Sequence, residues 1–196
     1  IMIGNIKGYR LVLASNSPRR QELLHEMGYA FDVVVKRGID ESFPTTLSVY
    51  DVPEFLAKKK AEAYKDILAD GRTLLLTSDT IVVHDGRILG KPGSLDEARC
   101  MLKSLSGKTH QVISGVALTT DVWQRSFADV TSVHMRSFTD EVIDYYVDNY
   151  KPLDKAGAYG IQEWIGLVGI DSIDGSYHNV MGLPTQRLFD GLRTII

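Results

Sequence analysis

Cysteine is nearly absent from this 196-residue chain, in which Cys100 stands alone. A single thiol closes no intramolecular disulfide, and no Cys/His cluster carries the spacing of a zinc site. A reducing compartment is the expected setting. Charge of one sign is equally scarce. The formal net charge is only -3, without the basic excess of a protein held to nucleic acid through phosphate contacts, so no nucleic-acid partner is expected. No apolar stretch approaches the roughly 20 residues of a membrane span. Ile1 to Tyr9 has no basic region followed by an apolar run and does not read as a secretory signal. These absences predict a soluble cytoplasmic protein with no membrane partner. The phosphate-loop pattern and the dinucleotide fingerprint are both missing, which counts against ATPase-type and nicotinamide-dependent chemistry. The five histidines share no ligand spacing. Cys100 falls off the inward face of its helix with no activating partner, which makes it a poor nucleophile.

What remains is an ordinary globular composition, 44% hydrophobic and 24% charged, with room for one large domain or two tightly fused lobes. Short apolar runs alternate with helical periodicity throughout. Leu11 to Leu13 reads as a strand, and Ser17 as the N-cap of a helix with Pro18 at its first position. Leu23, Leu24 and Met27 form that helix's buried face, and Gly28 is its stop. A strand follows over 31–35, then a polar loop over 36–50. A helix over 51–68 buries Val52, Leu56, Ala63 and Ile67. Two strands, 74–76 and 81–83, flank an interruption at 77–80. Ser94 to Glu97 has capping-box spacing and opens a helix that ends at Gly107. Strands over 110–119 and 126–138, a helix over 139–150, strands over 165–173 and 177–181 and a closing helix over 184–195 complete the pattern. The class is α/β, a twisted mixed sheet with helices on both sides, in one domain spanning 1–196 without a separable linker.

Three groups of residues have chemical potential. The turn Ser15 to Arg20 ends at a helix N-terminus, whose free N–H groups and partial positive charge suit an anion. Arg19 and Arg20 in the first turn oppose the helix dipole, a placement that a phosphate ligand would relieve. The plain alternative is a serine cap followed by solvated arginines. Asp79 is a carboxylate within an apolar stretch, costly to bury without a metal, a cation or donors. It is either a general base or a structural aspartate capping a strand break. Asp40 and Glu41, with Lys60 and Lys91, have the makings of a magnesium–polyphosphate site, which needs only one or two carboxylates. Lys60, inside an apolar stripe, either snorkels to the surface or points inward.

Six segments in order resemble the Maf family of nucleotide pyrophosphatases, from Leu11 to about Leu188: LASNSPRRQELL (13–24), SDTIV (78–82), LGKP (89–92), LSGKTHQVISGVAL (105–118), DKAGAYGIQ (154–162) and GSYHNVMGLP (175–184). The resemblance implies that Asp79 is the proton acceptor and that Arg19, Thr80 and Gln162 are tied to substrate choice. It implies further that Glu41, Lys60 and Lys91 belong to the metal and triphosphate site, with Glu41 and Asp79 on a divalent cation such as Mg2+ or Mn2+. Ser15 and Arg20 would line the same pocket. The fold implied is an elongated mixed sheet in two lobes with a central cleft, similar to the inosine triphosphate pyrophosphatases, in a homodimer. DKAGAYGIQ looks like the branch acting on dTTP and UTP, and the Gln162 amide complements a pyrimidine edge. Ser78 before the aspartate, and Glu163 and Trp164 after Gln162, depart from the commoner pattern. The rival readings are a pyrophosphatase for modified or purine nucleotides such as 7-methyl-GTP, and a non-catalytic nucleotide-binding regulator of cell division.

Overall fold

The computed structural model describes Ile6 and residues 8–195, so the stretch from Ile1 to Tyr9 lies largely outside the described residues. Seven strands form one mixed sheet: β1 (Arg10–Leu13), β2 (Asp32–Val33), β3 (Thr73–His84), β4 (Arg87–Leu89), β5 (Thr109–Thr119), β6 (Gln124–Met135) and β7 (Ile170–Asp174). Their order is β2-β1-β3-β5-β6-β7, with β4 also paired to β3. β1 runs parallel to β2 and β3, whereas β4 and β7 are antiparallel to β3 and β6. The helices are α1 (Pro18–Glu26), α2 (Val52–Glu62), α3 (Lys65–Leu68), α4 (Leu95–Leu105), α5 (Asp140–Tyr150), α6 (Trp164–Gly169), α7 (Tyr177–Met181) and α8 (Thr185–Arg193). The expected α/β class and mixed sheet are therefore present.

The chain divides into two compact units. The first comprises Ile1–Asp79, Ser114–Asp129 and Gly182–Ile196. Val12, Ala61, Tyr64, Leu68 and Leu75 form part of its core. α2 starts hard against the sheet: a Cβ on Gly115 would stand 2.2 Å from the Glu54 backbone nitrogen, so only glycine fits. The second unit comprises Thr80–Ile113 and Val130–Met181. There α4 packs on α5 through Ala98, Leu102, Leu105, Ile143, Tyr146 and Val147.

Five parts of the fold differ from the sequence reading. β3 is continuous across 77–80. The buried hydroxyl of Thr77 donates to the Ala57 carbonyl at 2.7 Å, so a polar residue enters the strand satisfied and no break is needed. The helix over 51–68 is instead two helices. At the end of α2 the N–H groups of Ala63 and Tyr64 bond three residues back, to Lys60 and Ala61. That tighter turn exposes Ala63 and buries Tyr64 and Leu68. Tyr64 then uses its hydroxyl to accept the Lys36 N–H at 2.9 Å. Residues 165–169, read as the start of a strand, belong to α6, which buries Ile165 and Gly169 four residues apart while Leu167 is 83% exposed. Short apolar runs do not separate the two periodicities. Residues 177–181 are likewise helix α7, where Ser176 accepts the Asn179 N–H at 3.2 Å. β2 is shorter than expected, Asp32–Val33 alone.

Candidate active site

In the first unit the end of β1 leads into Ser15, and α1 begins at Pro18 after Ser17 in extended conformation. Ser17 occupies the N-cap position but makes no side-chain cap bond. Its own N–H donates to Ser15 Oγ at 3.2 Å. Arg20 donates from Nε to the Gly182 carbonyl at 2.8 Å and from Nη1 to Ser15 Oγ at 3.4 Å. Burial lowers the Arg20 pKa from its ordinary value and the Arg19 charge adds to this, while Asp79 and Glu41 pull it back up. A guanidinium stays charged in proteins. The arrangement therefore concentrates positive charge at some cost, which an anionic ligand would offset.

Asp79 projects from the uninterrupted β3, so no strand break exists for it to cap. Lys60 on α2 reaches it with Nζ 2.6 Å from Oδ1, each side chain 15% exposed. The same ammonium stands 2.9 Å from Glu41 Oε1. Lys60 therefore points inward and does not snorkel. The neighbouring carboxylates of the loop separate. Asp40 turns to Lys59, 2.7 Å away, and accepts the Ser42 N–H and hydroxyl. The Lys59 bond and then the Ser42 bonds hold the Asp40 carboxyl down at about 2. Glu41 and Asp79, with oxygens bonded to one ammonium, are the donor set that fits a hard divalent cation, which takes one or two carboxylates and completes its shell with water and phosphate. Among the described residues no group of three or more His, Cys, Asp or Glu side chains is arranged for a metal.

In the second unit Thr80 is the next residue of β3 and is half-buried. Its side chain leaves the opposite face of the strand from Asp79. Lys91 is exposed, just after β4. The Gly90 carbonyl before it accepts the Gly157 N–H at 3.1 Å, tying the Lys91 loop to the glycine-rich segment. Gln162 is exposed near the end of that segment.

A profile of the family described as Maf-like protein matches residues 10–195. The chain belongs to this family. A Maf-like chain of this kind has full-length relatives. It is 50% identical over 194 residues to the dTTP/UTP pyrophosphatase of Bacteroides thetaiotaomicron, covering 99% of this chain and 100% of that protein. It is 52% identical over 194 residues to the dTTP/UTP pyrophosphatase of Phocaeicola vulgatus, with 99% and 100% coverage. Among solved structures, a HAM1 protein from Coxiella burnetii aligns with TM-score 0.50 at 14% identity, over 95% of this chain and 99% of that one. At that identity the likeness concerns the fold alone.

For the Maf-like chain, a hydrogen bond joins Arg20 to Ser15 and Lys60 joins Glu41 to Asp79, all within the first unit, and Asp79, Arg19 and Glu41 lie close enough to act on Arg20 electrostatically. Thr80, Lys91 and Gln162 belong to the second unit. Sequence reasoning missed Gly182, whose carbonyl anchors Arg20 across 162 residues; no local pattern signals such a contact. It also missed Lys59, which takes Asp40 out of the site. A surface cavity of about 360 Å³ lined by Glu62, Lys65, Asp121 and Gln124 includes none of the candidate residues. No helix among the described residues is long and apolar enough to cross a membrane.

Proposed function

We propose that this protein hydrolyses dTTP and UTP to the monophosphate and pyrophosphate. The observation that carries the reading is the single ammonium of Lys60 shared between Asp79 at 2.6 Å and Glu41 at 2.9 Å, with both carboxylates close enough to act on Arg20 of α1 electrostatically. The names of the full-length relatives support the substrate class.

Asp79 serves as the base. A water aligned with the bond from the α phosphorus to the bridging oxygen attacks phosphorus and loses a proton to Asp79. A new phosphorus–oxygen bond forms, the bridging bond breaks, and its electron pair leaves with pyrophosphate. Arg19, Arg20 and Ser15, with the α1 N–H groups, bind phosphate oxygens, and Lys60 and Lys91 neutralise the triphosphate charge. Thr80 and Gln162 contact the nucleoside, Gln162 through its amide. Glu41 and Asp79 would hold a divalent cation, Mg2+ or Mn2+, which when bound supplies positive charge to the phosphate oxygens. The same reading makes the protein a cytoplasmic enzyme, where its nucleotides are, acting as a homodimer.

The test is pyrophosphate release from dTTP, UTP, CTP and 7-methyl-GTP with Mg2+ and with Mn2+. Turnover of dTTP and UTP well above the others is expected. Preference for 7-methyl-GTP would replace the substrate assignment, and nucleotide binding without pyrophosphate release would overturn the enzymatic one.

A further inference from the structure

The segment that ends in Gln162 rests on charged groups that the reaction does not use. Lys155 is almost buried, its side chain 9% exposed, with Nζ 3.0 Å from Glu163 Oε1 and 2.8 Å from Asp154 Oδ1. The second Glu163 oxygen accepts a short hydrogen bond from the Tyr146 hydroxyl on α5. Tyr146 in turn accepts the Gly160 N–H at 3.1 Å. The Gly160 carbonyl is held as well, by the Glu163 N–H at 3.0 Å. Both polar groups of Gly160 are thus tied to one network.

Gly160 is also walled in. A Cβ built there would lie 3.0 Å from Lys155 Cε, 3.1 Å from Glu163 Cδ and 3.2 Å from Gln162 Nε2. The Gln162 amide nitrogen therefore lies over Gly160, beside the side chains that fix it. A buried ion pair is a poor device for stability alone, because apolar packing of equal volume serves as well or better. What apolar packing lacks is the power to orient a peptide group. The partners here are directional, each with a defined donor and acceptor.

We propose that Lys155, Glu163 and Tyr146 are positioning residues that fix the backbone at Gly160, hold the Gln162 amide in place and so set the preference of the enzyme between pyrimidine bases. The inference rests on the reading of Gln162 as the residue that meets the base. A uracil or thymine ring presents a carbonyl where cytosine presents an amino group, so a fixed amide N–H donates to the first and leaves the second unpaired. A mobile amide would discriminate less.

The experiment compares steady-state kinetics on dTTP, UTP and CTP for the full chain and for Gln162→Ala, Tyr146→Phe, Glu163→Gln and the double variant Gln162→Ala/Tyr146→Phe. Tyr146→Phe keeps the ring and removes both hydrogen bonds; Glu163→Gln keeps the shape and removes the charge opposite Lys155. Both are expected to raise KM for dTTP and UTP about tenfold, the scale of one hydrogen bond, with kcat nearly unchanged. The ratio of kcat/KM between dTTP and CTP should fall, as it does in Gln162→Ala. The double variant should lose no more of that ratio than Gln162→Ala does. If Tyr146→Phe and Glu163→Gln lower the unfolding temperature, or depress all substrates equally, while the ratio stays at the unsubstituted value, the positioning role is overturned and the role of Gln162 stands. If Gln162→Ala keeps the ratio, the base-contact reading fails and the positioning role with it, although pyrophosphatase activity toward dTTP survives.

Discussion

The charges around Asp79 and those beneath Gln162 share one plan, a largely buried lysine divided between an exposed and a less exposed carboxylate, and differ in what else holds that second carboxylate. Glu41, which is 62% exposed, meets Lys60 from a loop, and the ammonium is divided between two carboxylates. Glu41 exchanges partners at little cost, because water compensates its carboxylate when it is released. Lys155 and Glu163 are 9% and 20% exposed, and the Glu163 oxygens are engaged by Lys155 and Tyr146. Burial also raises the Tyr146 phenol above its ordinary range, with the Glu163 hydrogen bond adding to the effect, so the hydroxyl remains a donor. Phosphate chemistry calls for groups that give up one partner and take another as charge moves. Recognition of a base edge calls for groups that do not move. The contrast teaches that charged side chains of the same types serve two purposes, decided by whether a further fixed donor, here the Tyr146 hydroxyl, holds the carboxylate.

The hardest blow to the exchangeable side of this comparison is Asp79→Asn, which preserves shape and removes the proposed base. Its kcat is expected to fall about 1,000-fold, roughly 4 kcal/mol of barrier, with the unfolding temperature little changed. Near-normal pyrophosphate release by the purified variant would remove Asp79 from the reaction. The matching blow to the fixed side is Lys155→Ala. It strands the Glu163 charge in a poorly hydrated place and is expected to cost about 3 kcal/mol of stability, read by chemical denaturation. A loss as small as that of an exposed pair would show that water reaches Glu163 and would erase the difference between the two regions.

A pH measurement sharpens the same contrast at smaller amplitude. His110 on β5 is buried in the second unit, 2.6 Å from the Tyr159 hydroxyl, and burial first, then the charges of His84 and His134, push its pKa from 6.5 down to about 4. The unfolded chain therefore binds this proton at a pH where the folded chain does not. Stability is fully present above the unfolded value and is lost as pH falls from 6.5 towards 4. Between pH 6.5 and 5 the loss from this group is about 2 kcal/mol. His110→Gln should flatten that part of the stability profile, and denaturant midpoints at the two pH values measure it. An unaltered slope would mean that His110 titrates freely in the folded protein.

Much of this was legible in the residues, though unevenly. Asp79 is conspicuous as a carboxylate in an apolar stretch, and the start of α1 follows from Pro18, whose fixed φ suits a first helical position even though Ser17 makes no cap bond. Lys60 was placed on its helix, but only the fold could say that it turns to Asp79 and does not snorkel. The tail was misread at α6 and α7, where five or six residues offer too little periodicity for pattern to outweigh apolar content. The support under Gln162 was invisible for another reason. Tyr146 sat in the sequence as one more residue of an amphipathic helix, and Glu163 only as a departure from a motif. Their bond spans 17 residues with an irregular segment between, and no rule of spacing foretells it.

Adjacent carboxylates make the finest test, because sequence treated Asp40 and Glu41 as one pair and the fold sends them to different lysines. Glu41→Gln removes a charge that shares Lys60 with Asp79, and it is expected to lower kcat/KM about tenfold, roughly 1.4 kcal/mol, with more divalent cation needed for half-maximal rate. Asp40→Asn alters only the Lys59 and Ser42 contacts and should leave kcat/KM within about twofold of the unsubstituted protein. Both substitutions remove one negative charge from the same loop, so a general electrostatic effect on a triphosphate would act on them alike. Unequal losses would tie the effect to the ammonium that reaches Asp79. Equal losses would mean that the loop works through its net charge, and Glu41 would lose its place among the cation ligands.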